Sequence, residues 1–338
     1  MRAFTALLLL LISRTAWPCA PAPPEDRFVS IEAEQALIIW DEGAHREHFI
    51  RRAAFTSDAD DFGFLVPTPS RPELREVPAA VFEALAEATK PEVKTVILPG
   101  SLLLRSAPAS LDGTSRTRGV KVLEQRTVAG YDATVLLADD PAGLSDWLKA
   151  HGYPMRSALE QWLVPYVENH WVITAFKISK SGAGRDIASP LVDMAFSTER
   201  PMYPYREPVE KTGSAARLLR VYFVGPWKAL ATIGTGATSF PGKTYWASPF
   251  EQLKVTLPAP ATAQAWLTVF DDPSSPRPAV DELWFSPAPD SDEVAPPPRL
   301  EVVSIPCELG CPLVFLAGLI ALVIRRRRRR SSSAQPKP

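Results

Sequence analysis

Four stretches carry residue types that could do chemistry, and the spacing in each decides which. In "AHREH" (Ala44 to His48), His45 and His48 stand three apart beside Asp41, Glu42 and Glu47. On a helix such a pair would share a face and could hold a metal ion. On a strand, positions three apart point to opposite faces. The flanking order "ALIIW", "DEG", "FIRRAAF" reads as a hairpin, so both histidines are expected as polar surface residues beside its turn. "GATSFPGKT" (Gly236 to Thr244) imitates a phosphate loop, but five residues separate its glycines where the nucleotide pattern has four. No capped helix follows it, so it reads as a turn-rich loop. "DFG" at Asp61 to Gly63 is the kinase triplet without its H-R-D loop, and no G-x-S-x-G elbow occurs. Carboxylates are plentiful, but no spacing pairs two of them.

The fourth stretch is the end of the chain, "CELGCPLVFLAGLIALVIRRRRRRSSSAQPKP" from Cys307 to Pro338. It must be read with the beginning, where Arg2 precedes an apolar run from Ala6 to Ile12 and then small residues and prolines. That is the order of a secretory signal peptide, assigned to 1–22. With the N-terminus translocated, an apolar stretch followed by arginines is a stop-transfer segment whose basic side stays inside. Residues 309–324 form a transmembrane helix of about 24 Å, short against a bilayer core of roughly 30 Å. Arginine stems can snorkel to close the gap. Arg325 and Arg326 open the basic cytoplasmic tail, 325–338. Cys311 lies immediately before the apolar run, placed for cleavage or acylation, and Cys307 stands a helical turn away, where it could pair with it. A permanent anchor and a removable processing signal both fit.

The chain's formal charge is −1; two arginines in residues 1–14 and six arginines with one lysine in 325–338 leave −10 for the body between them. An acidic exported body lacks the footprint of a nucleic-acid binder. Three cysteines in 338 residues are not a disulfide scaffold, and Cys307 and Cys311 lack two further ligands for zinc. No cofactor or metal is expected.

Between the membrane signals lies an exported domain, 28–285, with room for two β-rich lobes. After it, a Pro-rich stretch, 286–308, reads as a stalk. "KTVILP", "YDATVLLA", "WVITAFKI", "LLRVYFVG" and "AWLTVF" are rich in β-branched and aromatic residues. Three helices carry local signals. "PAAVFEALAEAT" opens at Pro78; "DPAGLSDWLKAHG" has Asp140 as N-cap and Pro141 at the first position; "SALEQWLVPYVENH" has Ser157 and Glu160 in capping-box spacing with Pro165 inside. His151 and His170 fall at helix ends, a structural placement. Strands outnumber helices without alternating with them, so the expected class is α+β, mainly antiparallel sheet with three short helices. Most aromatics, Trp147, Trp162 and Trp171 among them, are expected in the core; a minority could line a binding face.

The block "AEQALIIWDEGAHREHFIRRAAFTSDADDFGFLVPTPSRPEL" (Ala33 to Leu74) resembles the opening of the bacterial family called domain of unknown function 2330. "VAGYDATVLLADDPAGLSDWLKAHGY", "YVENHWVITAFKI" and "PMYPYREP" follow in order. The resemblance covers roughly 28–285 and departs at "CAPAPP", where a Cys-Gly-Gly-aromatic cluster would be expected. It implies an exported, often membrane-anchored bacterial protein and brings no catalytic residues. Separately, Cys311, the apolar run and the arginine cluster are similar to C-terminal sorting signals of myxobacteria. The expected function is an exported, membrane-anchored cell-envelope module, non-enzymatic, binding an envelope protein or polymer. Two alternatives stand beside it: an envelope hydrolase using carboxylates with His45 or His48, and a structural subunit of an envelope complex.

Overall fold

The computed structural model describes residues 15–16, 21–22, 29–57, 63–99, 122–178, 191–210, 218–262, 264–274, 277 and 280–305, with side chains described for most of these. Two two-residue strands, β1 (Thr15–Ala16) and β2 (Pro21–Ala22), precede a long hairpin of β3 (Val29–Asp41) and β4 (Arg46–Ser57). The hairpin turns where the "DEG" signal lies: Asp41 Oδ1 accepts from Ala44 N at 3.0 Å, and His45 takes φ 47°. Then come β5 (Gly63–Thr68), β6 (Glu73–Val77), α1 (Ala80–Ala88) and β7 (Val93–Pro99). β8 (Val122–Val128) and β9 (Tyr131–Leu136) close a two-residue hairpin on Ala129 and Gly130, both at positive φ as such tight turns require.

α2 (Pro141–Ala150) starts as its sequence dictates, with Asp140 accepting from Gly143 N at 2.7 Å. α3 (Ser157–Glu168) does not: Arg156 is its N-cap, and no side chain caps it. The expected capping box fails because Glu160 is engaged across the helix pair, accepting from Ser145 Oγ at 2.7 Å and pairing with Lys149 at 2.6 Å. The remaining elements are β10 (Val172–Ile178), β11 (Leu191–Ser197), β12 (Met202–Tyr203), β13 (Val209–Glu210), β14 (Leu218–Gly225), β15 (Ala229–Ile233), β16 (Lys243–Pro249), β17 (Trp266–Asp272), β18 (Leu283–Pro287) and β19 (Arg299–Ile305).

Two units divide these elements. In the larger, a seven-stranded sheet runs β16-β17-β14-β3-β4-β11-β6, a five-stranded sheet β2-β5-β10-β9-β8 and a three-stranded sheet β12-β18-β15, with β1 beside β13. Described pairings in this unit are antiparallel except β3 with β14. β3 is central and covered on both faces, which is why "ALIIW" is continuously apolar instead of alternating. Its even positions Ala36, Ile38 and Trp40 face the main core, packed with Phe64, Val135 and Phe176 of the five-stranded sheet and Leu283 and Phe285 of the three-stranded one. Its odd positions Leu37 and Ile39 pack with Phe82 and Leu85 of α1. The far face of the five-stranded sheet packs Leu65 and Ile173 against Trp147, Trp162 and Leu163 of α2 and α3. The molecule is α+β, mostly β-sheet with antiparallel pairing dominant and three α-helices among the described residues.

The smaller unit contains β7 paired in parallel with β19. Arg299 N donates to Glu92 O at 2.7 Å, and Val93 and Leu300 stay 49% and 64% exposed. The stretch read as a stalk carries structure along part of its length. β18 runs on to Pro287, Val294 exchanges two backbone hydrogen bonds with Ala247, and Asp290 pairs with Lys228. Among the described residues no helix is long and apolar enough to cross a membrane; the expected transmembrane helix, Cys307, Cys311, Arg325 and Arg326 lie outside them.

Candidate binding cleft

The three-stranded sheet ends on β15, where Ile233 is bridged to Thr238, and the seven-stranded sheet ends on β16, where Ala247 is bridged to Val294; the chain between these strands is the turn-rich "GATSFPGKT" loop. Together they enclose a cleft of about 470 Å³, with Leu230, Ala231 and Thr232 on one wall, Thr238 and Phe240 on the loop, and Thr244 with Phe270 at the other side. No lining residue is charged. Phe240 is held edge-on to Tyr205 and Phe270, with ring centroids 5.9 and 6.2 Å away. Gly242 makes this position possible, because a Cβ there would lie 2.3 Å from the Phe240 ring.

Beneath Phe240 lies a network of buried charge. Tyr205 donates to Asp272 Oδ2 at 2.8 Å, and Asp272 Oδ1 accepts from Ser274 N and Oγ at 2.9 and 2.5 Å. Arg277 stands 3.1 Å from Asp272 and 3.2 Å from Glu207. Strand parity puts Glu34 and Arg51 on the same interior face, where Arg51 Nε donates to Glu34 Oε1 at 2.5 Å. Glu34, Glu207, Asp272 and Arg277 are all under 5% exposed. Burial, and next the Asp272 charge, drive the Tyr205 phenol far above its usual range. For Arg277, burial opposes the charge, and Glu207, Tyr203, Glu34 and Asp272 outweigh it. Groups so paired are a structural hub, tying β3, β4 and β17 to Tyr205, Glu207 and Arg277.

The histidines lie elsewhere. His45 occupies the hairpin turn, edge-on to Trp40 at 6.2 Å. His48 was expected at the surface and is buried instead: on the α1 side of the seven-stranded sheet its Nδ1 lies 3.0 Å from Asp193 Oδ2, which also accepts from Arg75 at 2.6 Å. The reason is register, since β4 and β11 place His48 beside Ala195 and next to fully buried Asp193. Neither histidine lines the cleft. Among the described residues no group of three metal-ligating side chains converges. His151 and His170 follow α2 and α3 as expected; His151 stacks on Trp147 at 3.9 Å. Trp147 and Trp162 are core, and Trp171 is half-buried against it.

Sequence reasoning singled out the cleft's loop but missed Glu34, Glu207, Asp272 and Arg277. Only Asp272 left a signal, as a charge two positions past Phe270 on the inward parity of a buried strand.

No curated protein matches the chain. Solved structures similar to it include that of baculovirus P35, with 11% identity over 82% of this chain and 98% of that one, at a TM-score of 0.35. A mutated baculovirus P35 after caspase cleavage gives 7% identity over 78% and 97%, at the same TM-score. Residues 16–277 match the family described as an uncharacterized protein conserved in bacteria, domain of unknown function 2330, and the chain belongs to that family.

Proposed function

We propose that this is an exported protein, tethered to the cell membrane by its C-terminal segment, that binds an envelope protein or polymer in the cleft without transforming it. The observation that carries this reading is the cleft's make-up: some 470 Å³ of space, walled by hydroxyl and small residues around two phenylalanines, with no charge in its lining. Its lining is about evenly polar and apolar, and hydroxyls converging beside aromatic rings can orient a bound group. The buried charges beneath Phe240 are paired with one another. Export and tethering rest on the leader-like 1–22 and on the apolar and arginine runs after Cys311.

A photo-crosslinking residue placed at Ser239 in the producing cells tests this, with one at Glu251 as control. Adducts at Ser239 alone are expected; none, or equal adducts at both, would refute it. Intact mass of membrane-extracted protein reads the tail: a tethered chain retains Arg325 to Pro338, whereas a chain cut at Cys311 is lighter by about 3 kDa. The hydrolase reading draws on one observation, the Asp193 carboxylate orienting His48. Under the binding reading, His48→Ala leaves the Ser239 adducts in place.

A further inference from the structure

The hydrogen-bond register of β15 exposes one backbone unit to the cleft. Lys228 O accepts from Ala288 N at 2.8 Å, and Gly234 N donates to Glu282 O at 2.9 Å. Even-numbered residues of β15 therefore bond β18, and odd-numbered ones turn their amides away from it. The partners agree: Ala229 stands opposite Pro287, which has no N–H, and Phe285, opposite Ala231, donates its own N–H to Pro201 O at 3.0 Å. Of the outward units, Ala229 N–H is taken by Thr268 Oγ1 at 2.9 Å, and Ile233 is bridged to Thr238 with its C=O accepting from Gly236 N at 2.8 Å. Ala231 lies between them and lines the cleft. Among the described residues, nothing bonds its outward N–H or C=O.

We propose that the cleft takes an extended, uncharged peptide segment of another envelope protein, paired backbone to backbone with Ala231 on the outer edge of β15. This deepens the binding reading and rests on it. An N–H and a C=O on one residue, directed sideways from a strand, are the donor and acceptor that a second backbone in antiparallel register satisfies together. Because Ala229 N–H and Ile233 are already engaged, the added segment pairs at Ala231 and runs about three residues along the edge, roughly 10 Å at ~3.4 Å per residue. The uncharged lining matches a neutral segment and offers a charged one no partner. Alternate side chains of the added strand would face Phe240 and Phe270 or the hydroxyls of Thr232 and Thr238. Gly236 leaves room for close approach, since a Cβ there would meet nothing within 4 Å.

The full-length protein in detergent is probed with an array of capped, uncharged octapeptides and, in parallel, with chito-oligosaccharides and dextran. Peptide hits are resynthesised with N-methyl groups on alternate residues, which removes backbone donors and keeps side chains. Ala231→Pro deletes the outward N–H at a position that gives no bond to β18, and prolines are tolerated on such edges. Ser239→Arg obstructs the cleft rim by charge and bulk. The expected result is peptide binding weakened about tenfold or more by N-methylation in one of the two alternate frames and by Ala231→Pro. N-methylation involves no change in the protein, so that comparison holds even if Ala231→Pro fails to fold. Peptide binding indifferent to N-methylation in both frames overturns the added strand. Oligosaccharide binding lost in Ser239→Arg, with no peptide binding, overturns the peptide inference and leaves the cleft as a binding site. Binding of neither probe class overturns the inference, and an accompanying absence of Ser239 adducts in cells overturns the binding reading with it.

Discussion

Glu47 gives the sharpest test of how the interior is held. It sits on β4 opposite Trp40 of β3 and Phe196 of β11, with no exposure to solvent. Its Oε2 accepts from Met202 N at 2.8 Å, and among the described residues its Oε1 has no hydrogen-bond partner. Burial raises its pKa well above the ordinary 4.5, opposed only in part by the Met202 amide. The folded chain therefore keeps this proton over a pH window in which the unfolded chain has lost it. Folded protein then binds more protons than unfolded, so stability falls as pH rises above about 4.5, by at most ~1.4 kcal/mol per pH unit, until the folded carboxyl itself ionises. Below that window the contribution is constant. Glu47→Gln keeps the shape and the acceptor for Met202 N–H but cannot ionise. Urea denaturation of wild type and variant in steps from pH 4 to 8 should give stabilities within about 1 kcal/mol at pH 4. The variant should gain on wild type at each step above pH 5. Other titrating groups, Glu282 among them, cancel in the difference if they are independent of Glu47. Parallel stability curves would show that Glu47 is ionised in the fold and that the burial argument is wrong.

Three further outcomes follow from the same contacts. Arg277→Met should cost about 3–5 kcal/mol in urea denaturation, because it removes the cation that pairs with buried Glu207 and Asp272; adding Glu207→Gln should recover part of the loss. His48→Ala should cost about 1–3 kcal/mol, the effect of removing one of two partners from fully buried Asp193, whereas His48→Asn should cost less. Gly63→Ala should lower stability by about 1–3 kcal/mol, read as a fall in denaturation midpoint, since its Cβ would lie 2.7 Å from Phe176 O and 2.5 Å from the Tyr153 ring.

The parts of the fold legible in the sequence are those governed by local signals. The Asp140-Pro141 start of α2 and the "DEG" turn each have a stereochemical cause confined to a few residues, and each is found where it reads. Ser157 shows the limit: its capping-box spacing with Glu160 is intact, but α2 lies close enough for Ser145 and Lys149 to outcompete the helix's own amides. The stalk reading failed to anticipate such contacts for the same reason. Nothing within "SPAPDSDEVAPPPRL" announces that Val294 will bridge to Ala247, because the partner lies on an edge strand far back in the chain.

The cleft and the charge beneath it were harder still to see, and the cause is specific. A strand with one solvent face alternates, and a charge on its polar parity reads as exposed; both faces of the seven-stranded sheet are covered, so that inference loses its footing. In "EAEQALIIW" and "FIRRAAF", Glu34 and Arg51 look like ordinary surface residues, yet the pairing of Ala36 with Arg51 turns both side chains inward to meet one another. Arg277 and Glu207 are seventy residues apart and share no local pattern at all. Hydrogen-bond register has the same property: whether Ala231 or Leu230 offers its amide to the cleft is a matter of one residue's slip against β18. Pro287 is the only residue in either strand whose type constrains that choice, because it cannot donate. Register therefore connects the interior charge to the outer edge of β15. The same β17 that turns Asp272 inward to Tyr205 and Arg277 also presents Thr268 to the Ala229 amide and Phe270 to the cleft. A slip of β17 by one residue would release all three, so the buried pairs keep in step the strand that presents Phe270 to the cleft.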